Sequence, residues 1–235
     1  MYVCVLNADG TPLTGATENP VSILETQVSK ATAKRFIGNV DVDYKLHFFP
    51  DIRVHATGAY DWSRGKGFNY TPAGAYSSYN QGGSSQNYGP QKMYNKLLTL
   101  YANYHKEIEG DVSHSIDFTA GYDYQYWKET IPEYYTYDAS GAGQIYNTVT
   151  AVDERHSLLS YYGRLNYTLM DRYMLTATIR RDGSSRFADG KKWGTFPSVA
   201  LAYNIAKENF FEPLAKTIND LKVRVSYGVT GQQDG

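Results

Sequence analysis

The run Tyr173-Met174-Leu175-Thr176-Ala177-Thr178-Ile179-Arg180, then Arg181-Asp182-Gly183-Ser184-Ser185-Arg186-Phe187, then a second alternating run from Phe196 decides how this chain folds. In the first run Tyr173, Leu175, Ala177 and Ile179 are apolar, while Met174, Thr176, Thr178 and Arg180 are mostly polar. That period of two is the signature of a strand. In the second run Pro197, Val199, Leu201, Tyr203 and Ile205 alternate with Phe196, Ser198, Ala200, Ala202 and Asn204. Asp182-Gly183 between the runs predicts a chain reversal.

The same layout extends outward. Leu159, Tyr161, Gly163, Leu165, Tyr167 and Leu169 oppose Ser160, Tyr162, Arg164, Asn166 and Thr168, and Met170-Asp171-Arg172 turns that strand into the next. Upstream, alternation begins near Phe36, turns at Phe49-Pro50-Asp51, and returns from Ile52 to Trp62. A strand over 93–108 turns at Glu109-Gly110-Asp111 and returns over 116–127. Downstream, 207–219 holds a short helical turn, and Leu221, Val223, Val225 and Tyr227 mark the last strand. Two stretches, 66–92 and 129–154, are rich in Gly, Ser, Asn and Tyr and read as long connections. Residues 1–32 read as a loop-rich lead-in, part of an extracellular loop, with at most a short strand over 2–6; residues 33–235 form the β domain.

The chain has 235 residues, a net charge of -1 and 23 tyrosines against 9 phenylalanines and 3 tryptophans. Near-zero charge without a Lys/Arg run gives no footprint for nucleic acid. No apolar window is long enough for a membrane-spanning helix, which leaves membrane strands open. Cys4 is the single cysteine, so no intrachain disulfide or thiolate cluster is expected. No basic and then apolar leader follows Met1, so the chain is expected to stay inside the cell or to be an interior piece of a longer one.

About eight strands with connections alternating between tight and long fit an up-and-down transmembrane barrel, whose turns are short on one side of the bilayer and long on the other. A Greek-key sandwich has no reason to alternate. The all-β, antiparallel barrel is therefore the expected fold, with a soluble β-rich binding protein as the other reading. The phase places Leu165, Tyr173, Leu175, Val199, Leu201, Val223 and Val225 toward lipid and Asn166, Thr176, Arg180 and Arg224 toward the lumen.

Particular residues then carry a resemblance. Tyr162-Gly163-Arg164-Leu165-Asn166-Tyr167, Asp171-Arg172-Tyr173-Met174-Leu175, Arg181 through Phe187, Trp193-Gly194-Thr195-Phe196-Pro197-Ser198 and Ser226-Tyr227-Gly228-Val229-Thr230-Gly231 stand in one order. With Asn19-Pro20-Val21 and Arg35-Phe36-Ile37-Gly38-Asn39, they closely resemble the SusC/RagA family of TonB-dependent outer-membrane transporters of Bacteroidetes. The resemblance implies a 22-stranded barrel in the cell outer membrane that imports glycans, oligosaccharides or peptides. It also implies an N-terminal plug, a TonB box that couples to TonB, and a SusD-like surface lipoprotein. This chain would supply eight consecutive strands of that barrel, as a partial TonB-dependent receptor β-barrel domain. The alternative within the membrane is a small self-closed barrel, a pore or adhesin.

Enzyme signatures are missing: there is no His-Glu-x-x-His, Gly-x-Ser-x-Gly or phosphate-cradling glycine loop, and no cofactor or metal is expected. His105 and His114 flank a turn but read as solvated rim residues. Asp182 before Gly183 reads as turn chemistry rather than as a general acid. Within the family motif Arg181, Asp182, Gly183, Ser184, Ser185, Arg186, Phe187, Trp193 and Gly194 are expected to be structural loop and turn residues. The binding candidates are Tyr70, Tyr76, Tyr79, Tyr88, Tyr134, Tyr135 and Tyr137, because planar rings amid amides and hydroxyls suit polar ligands such as sugars.

Overall fold

The computed structural model describes residues 7–9, 13, 20–75, 82–214 and 217–231. Its strands are β1 (Val28–Lys45), β2 (Ile52–Thr71), β3 (Ser84–Ile108), β4 (His114–Ile131), β5 (Tyr134–Tyr137), β6 (Gln144–Val149), β7 (Val152–Leu169), β8 (Tyr173–Ser184), β9 (Trp193–Asn204) and β10 (Lys222–Gly228). One sheet carries them in the order β1-β2-β3-β4-β7-β8-β9-β10, with β5 and β6 off that path. Every strand on the path lies beside its neighbour along the chain, apart from the β5–β6 excursion. Strands β1 and β10 are the two ends of the order and do not pair with each other. The eight strands thus form a stretch of barrel wall that does not close on itself, against the small self-closed barrel.

The registers bear out the alternation. In the antiparallel β7–β8 ladder Leu165 faces Ala177 and Asn166 faces Thr176. In β8–β9 Leu175 faces Leu201, and in β9–β10 Leu201 faces Val225 while Arg224 faces Ala202. Directly opposed residues share a sheet face. The expected apolar set therefore falls on one face of these strands, and Asn166 and Thr176 bond one another at 2.9 Å on the other. Among the described residues only Ala75 and Phe211 are buried apolar side chains. Leu201 and Val225 stay 59% and 69% exposed. A sandwich would cover such a face with a second sheet.

Several boundaries differ from the sequence reading. Strand β2 runs on to Thr71 and β3 starts at Ser84, so the connection expected over 66–92 shrinks to 72–83. The connection expected over 129–154 holds the antiparallel pair β5–β6. Within 1–32, the stretch read as loop, there are a short helix, Pro20–Thr26, and the first residues of β1, which starts at Val28. The strand expected over 2–6 and Cys4 lie outside the described residues. The reversal expected at Asp182-Gly183 is displaced as well. Asp182 pairs with Gly194 and Gly183 with Trp193 within the β8–β9 ladder, and the chain turns back over 185–192. A Cβ on Gly183 would meet the Trp193 indole at 2.9 Å, so the glycine admits that ring rather than a tight turn.

The chain divides into two compact units. The first comprises Met1–Ile37, Asp61–Tyr94 and Lys128–Arg155; the second comprises Gly38–Tyr60, Asn95–Trp127 and His156–Gly235. In the second unit the β7–β8 connection has positive φ at Met170 (51°) and Asp171 (55°), closed by Arg172 N–H to the Leu169 carbonyl at 3.0 Å. Positive φ at both central residues makes a type I′ turn, whose twist suits a hairpin. The β9–β10 connection is longer, with 3-10 turns at Ile205–Lys207 and Asn209–Leu214 and Phe211 buried beneath them. Tyr173 and Tyr203 stack at 5.0 Å beside it, and Glu208 there accepts from Arg172 at 3.0 Å and from the Tyr173 hydroxyl at 3.1 Å.

Candidate functional site

In the first unit a line of side-chain hydrogen bonds crosses four strands. The Ser29 hydroxyl donates to the Asn69 carbonyl at 2.9 Å, and the Asn69 amide donates to Gln86 Oε1 at 3.3 Å. The Gln86 amide then donates to Thr136 Oγ1 at 2.9 Å. Thr136 is buried, so the line ends on a hydroxyl that water does not reach. It ties β5, which pairs with β3 through Ser85–Tyr137 and Gln86–Thr136, to β1 and β2. Pro132, just beyond β4, lacks the N–H a ladder would use and separates β4 from β5.

These contacts sort the tyrosines. Tyr134 lies 6.2 Å from Tyr88, ring to ring, on the face of β5 that carries Thr136. Tyr88 also lies over Gly67, where any Cβ would strike its phenol end. Tyr135 and Tyr137 alternate to the opposite face of β5. The Tyr135 hydroxyl bonds the Glu133 carboxylate, which raises its pKa. Tyr70 stacks on Phe68 at 6.4 Å, one position along β2 from Asn69 and so on the other face from the polar line. The five described candidates therefore fall into a Tyr88–Tyr134 pair and a separate set on the opposite faces of their strands. Tyr76 and Tyr79 lie outside the described residues.

Beyond β5 the chain is pinned by Asp138. Its carboxylate accepts from the Ser140 hydroxyl at 2.5 Å and from the Gly143 N–H at 3.0 Å, and Gly141 takes a φ of 79° that favours glycine. The Ser140 bond first, and the backbone N–H groups with it, hold the Asp138 pKa below the usual aspartate value.

The family-motif residues sit in the second unit. Arg180 reaches Asp182 at 2.8 Å and Asp123 at 3.4 Å, so Asp182 is the partner of a guanidinium. Arg181 lies over the Trp193 ring at 5.2 Å. Ser184 donates its N–H to the Lys192 carbonyl, and Ser185 exchanges two bonds with the Ser157 backbone. The Arg186 N–H donates to the Ser184 hydroxyl at 3.2 Å, and Phe187 is 42% exposed. A Cβ on Gly194 would run into the Phe196 ring. In the turn itself, a hydrogen bond from Lys192 keeps the Asp189 pKa low. The two histidines take separate partners: His105 lies 3.7 Å from Asp117, and His114 bonds the Tyr167 hydroxyl at 2.7 Å. A polar cavity of about 600 Å³ opens on this unit, lined among others by Asp43, Arg53, Asn103, Tyr162, Arg164 and Arg180. Of these, Tyr162, Arg164 and Arg180 stood out in the sequence. The bonds of Asn69, Gln86 and Thr136 were not foreseen, because nothing in their spacing announces a bond across strands.

A single antiparallel meander with one apolar exposed face and a polar opposite face is the wall of a transmembrane β-barrel. Residues 7–233 match the family described as TonB dependent receptor-like, beta-barrel. The chain belongs to that family, a family of outer-membrane transporters and not of enzymes. It is 37% identical over 224 residues to the TonB-dependent receptor SusC of Bacteroides thetaiotaomicron, covering 92% of this chain and 21% of that one. Against the TonB-dependent receptor P26 of Formosa agariphila it is 30% identical over 226 residues, 92% of this chain and 22% of the relative. The fold also matches the RagAB peptide importer in its closed-closed state with a TM-score of 0.76 at 18% identity, over 96% of this chain and 26% of that chain. The chain thus spans about a fifth of the length of these curated relatives.

Proposed function

We propose that this chain is a wall segment of a TonB-dependent importer that takes up a glycan, oligosaccharide or peptide across the outer membrane. The observation that carries the proposal is the family match over 7–233, with SusC among the relatives. The parent works with a SusD-like surface lipoprotein and draws energy through TonB. The ends of β2 and β3 together with β5 and β6 face outward, because in such barrels the tight turns lie on the periplasmic side and the longer connections outside. The lead-in over 1–32, whose last residues open β1 at Val28, joins the outward side to the partial barrel domain over 33–235. Tyr70, Tyr76, Tyr79, Tyr88, Tyr134, Tyr135 and Tyr137 contribute rings at the mouth, and 181–187 with Trp193 and Gly194 hold the wall.

The test uses the full-length parent with its cargo identified. Replacing Tyr88 and Tyr134 by alanine is expected to weaken cargo binding by about 0.5–1.5 kcal/mol per ring lost, on the scale of aromatic pairing. Barrel assembly, read by heat-modified gel mobility, is expected to stay normal. Unchanged affinity in a correctly assembled barrel would remove these rings from the binding surface.

A further inference from the structure

We propose that the face of β1 and β2 around Lys34, Arg64 and Lys66 binds the phosphate group of an outer-leaflet lipid. These three cations and Thr32 line one small cavity of about 120 Å³, the size for a compact anionic group rather than for a sugar or peptide. All four residues are exposed. Among the described residues none of the three cations has a carboxylate within ion-pair distance, whereas three aspartates of the same unit are engaged elsewhere. Asp61 takes Arg35 in a two-pronged bond at 2.9 and 2.8 Å, Asp153 takes Lys128 at 3.1 Å, and Asp138 is held in its own turn. Like charges gathered on one sheet face repel, so the arrangement gains from a bound anion.

The same alternation says what the anion is attached to. Along β1 the even positions read Tyr44, Val42, Val40, Gly38 and Phe36, and then change to Lys34, Thr32 and Lys30. Along β2 they read Val54, Ala56, Gly58, Tyr60 and Trp62, and then change to Arg64 and Lys66. On both strands an apolar run ends in an aromatic residue, and the next position on that side is a cation. Phe36 is 58% exposed, an aromatic ring open to acyl chains. Aromatic rings mark the edge of the hydrocarbon, and cations just past them meet headgroups. An acyl chain beside Phe36 and Trp62 with its phosphate among Lys34, Arg64 and Lys66 satisfies both parts. A soluble phosphate would use only the second.

This inference rests on the outer-membrane barrel reading but not on any cargo, so its test reads lipid and leaves transport as a separate measurement. The full-length parent in detergent is incubated with monophosphoryl lipid A, with its dephosphorylated counterpart, or with inorganic phosphate, and retention is followed by native mass spectrometry. The phosphorylated lipid is expected to stay bound where the dephosphorylated one leaves. Retention should weaken about fivefold for each cation removed, and on the order of a hundredfold in the Lys34→Gln/Arg64→Gln/Lys66→Gln variant. If that variant fails to assemble, the single Arg64→Gln and Lys66→Gln variants carry the same comparison. Equal retention of both lipids, or no change in the variants, overturns the site. Inorganic phosphate binding as tightly as the lipid overturns the assignment to lipid. A variant that loses lipid yet imports cargo normally supports the site and leaves the transport reading intact.

Discussion

The β7–β8 ladder and the β5–β6 hairpin are both built from tyrosine-rich antiparallel strands, yet they are held in different ways. From Leu158–Ser184 to Leu169–Tyr173 the first ladder steps without a shift. The second shifts register between Tyr134 and Tyr135 and again between Thr136 and Tyr137, with the extra residues on β6. Where one face is apolar, a one-residue slip would turn every side chain to the wrong side, so the face itself fixes register. Where both faces are polar, that penalty vanishes, and particular bonds from Gln86 and Asp138 must fix it instead. The wall is specified by pattern and the outer hairpin by individual residues.

The largest effect is expected from charge on the patterned face of the wall. In the full-length parent, Leu201→Arg, opposite both Leu175 and Val225, should cost about 2–4 kcal/mol near the bilayer midplane and lower the folded fraction in urea titrations. Asn166→Arg, on the other face, should leave it nearly unchanged. Equal losses at the two positions would erase the distinction between the faces.

Next in size is a change in close packing within the wall. A Cβ on Gly121 would strike the Tyr162 ring, which also lies 5.7 Å from the Arg180 guanidinium. Gly121→Ala should cost about 1–3 kcal/mol through overpacking and slow refolding of the barrel without touching the outer hairpin. Normal urea stability would mean that the ring swings aside freely.

In the hairpin, Gln86→Ala removes the donor to the buried Thr136 hydroxyl and should cost about 1 kcal/mol locally. Amide exchange should quicken at β5 and stay slow in β7 and β8. The smallest effect follows from Asp138. Its pKa is lower in the folded chain than its ordinary 3.8, so its contribution is complete above that value and fades as pH falls through the depressed one. Exchange protection over 138–143, taken relative to the intrinsic rate at each pH, should fall on acidification, and Asp138→Asn should flatten that fall.

Much of the wall was legible because its chemistry is periodic. Leu175, Leu201 and Val225 announce their common face by alternation alone, and the turns at 170–172 and 109–111 punctuate it. The ends of β2 and β3 were not legible. Around Phe68, Asn69, Gln86 and Asn87 both faces meet polar surroundings, so no contrast in hydropathy marks a strand, and backbone pairing extends it silently. Asp182-Gly183 misled for another reason. The pair signals a permissive backbone, but here the missing side chain of Gly183 makes room for Trp193. The tyrosines were legible as a population and not as a surface, since which side Tyr134 or Tyr135 takes depends on how β5 meets β3.

The order in which each strand lies beside its predecessor bears on how such a wall comes into being. Apart from the excursion through β5 and β6, each new strand needs only the one made just before it. Closing each hairpin therefore demands a short loop rather than a search through distant segments, which keeps the entropy of every step small. At each stage the last strand offers a row of unpaired amides and carbonyls that template the next. A wall of this kind can grow by zippering from either edge, and adding or deleting a whole hairpin changes its circumference without rewiring any pairing that already exists.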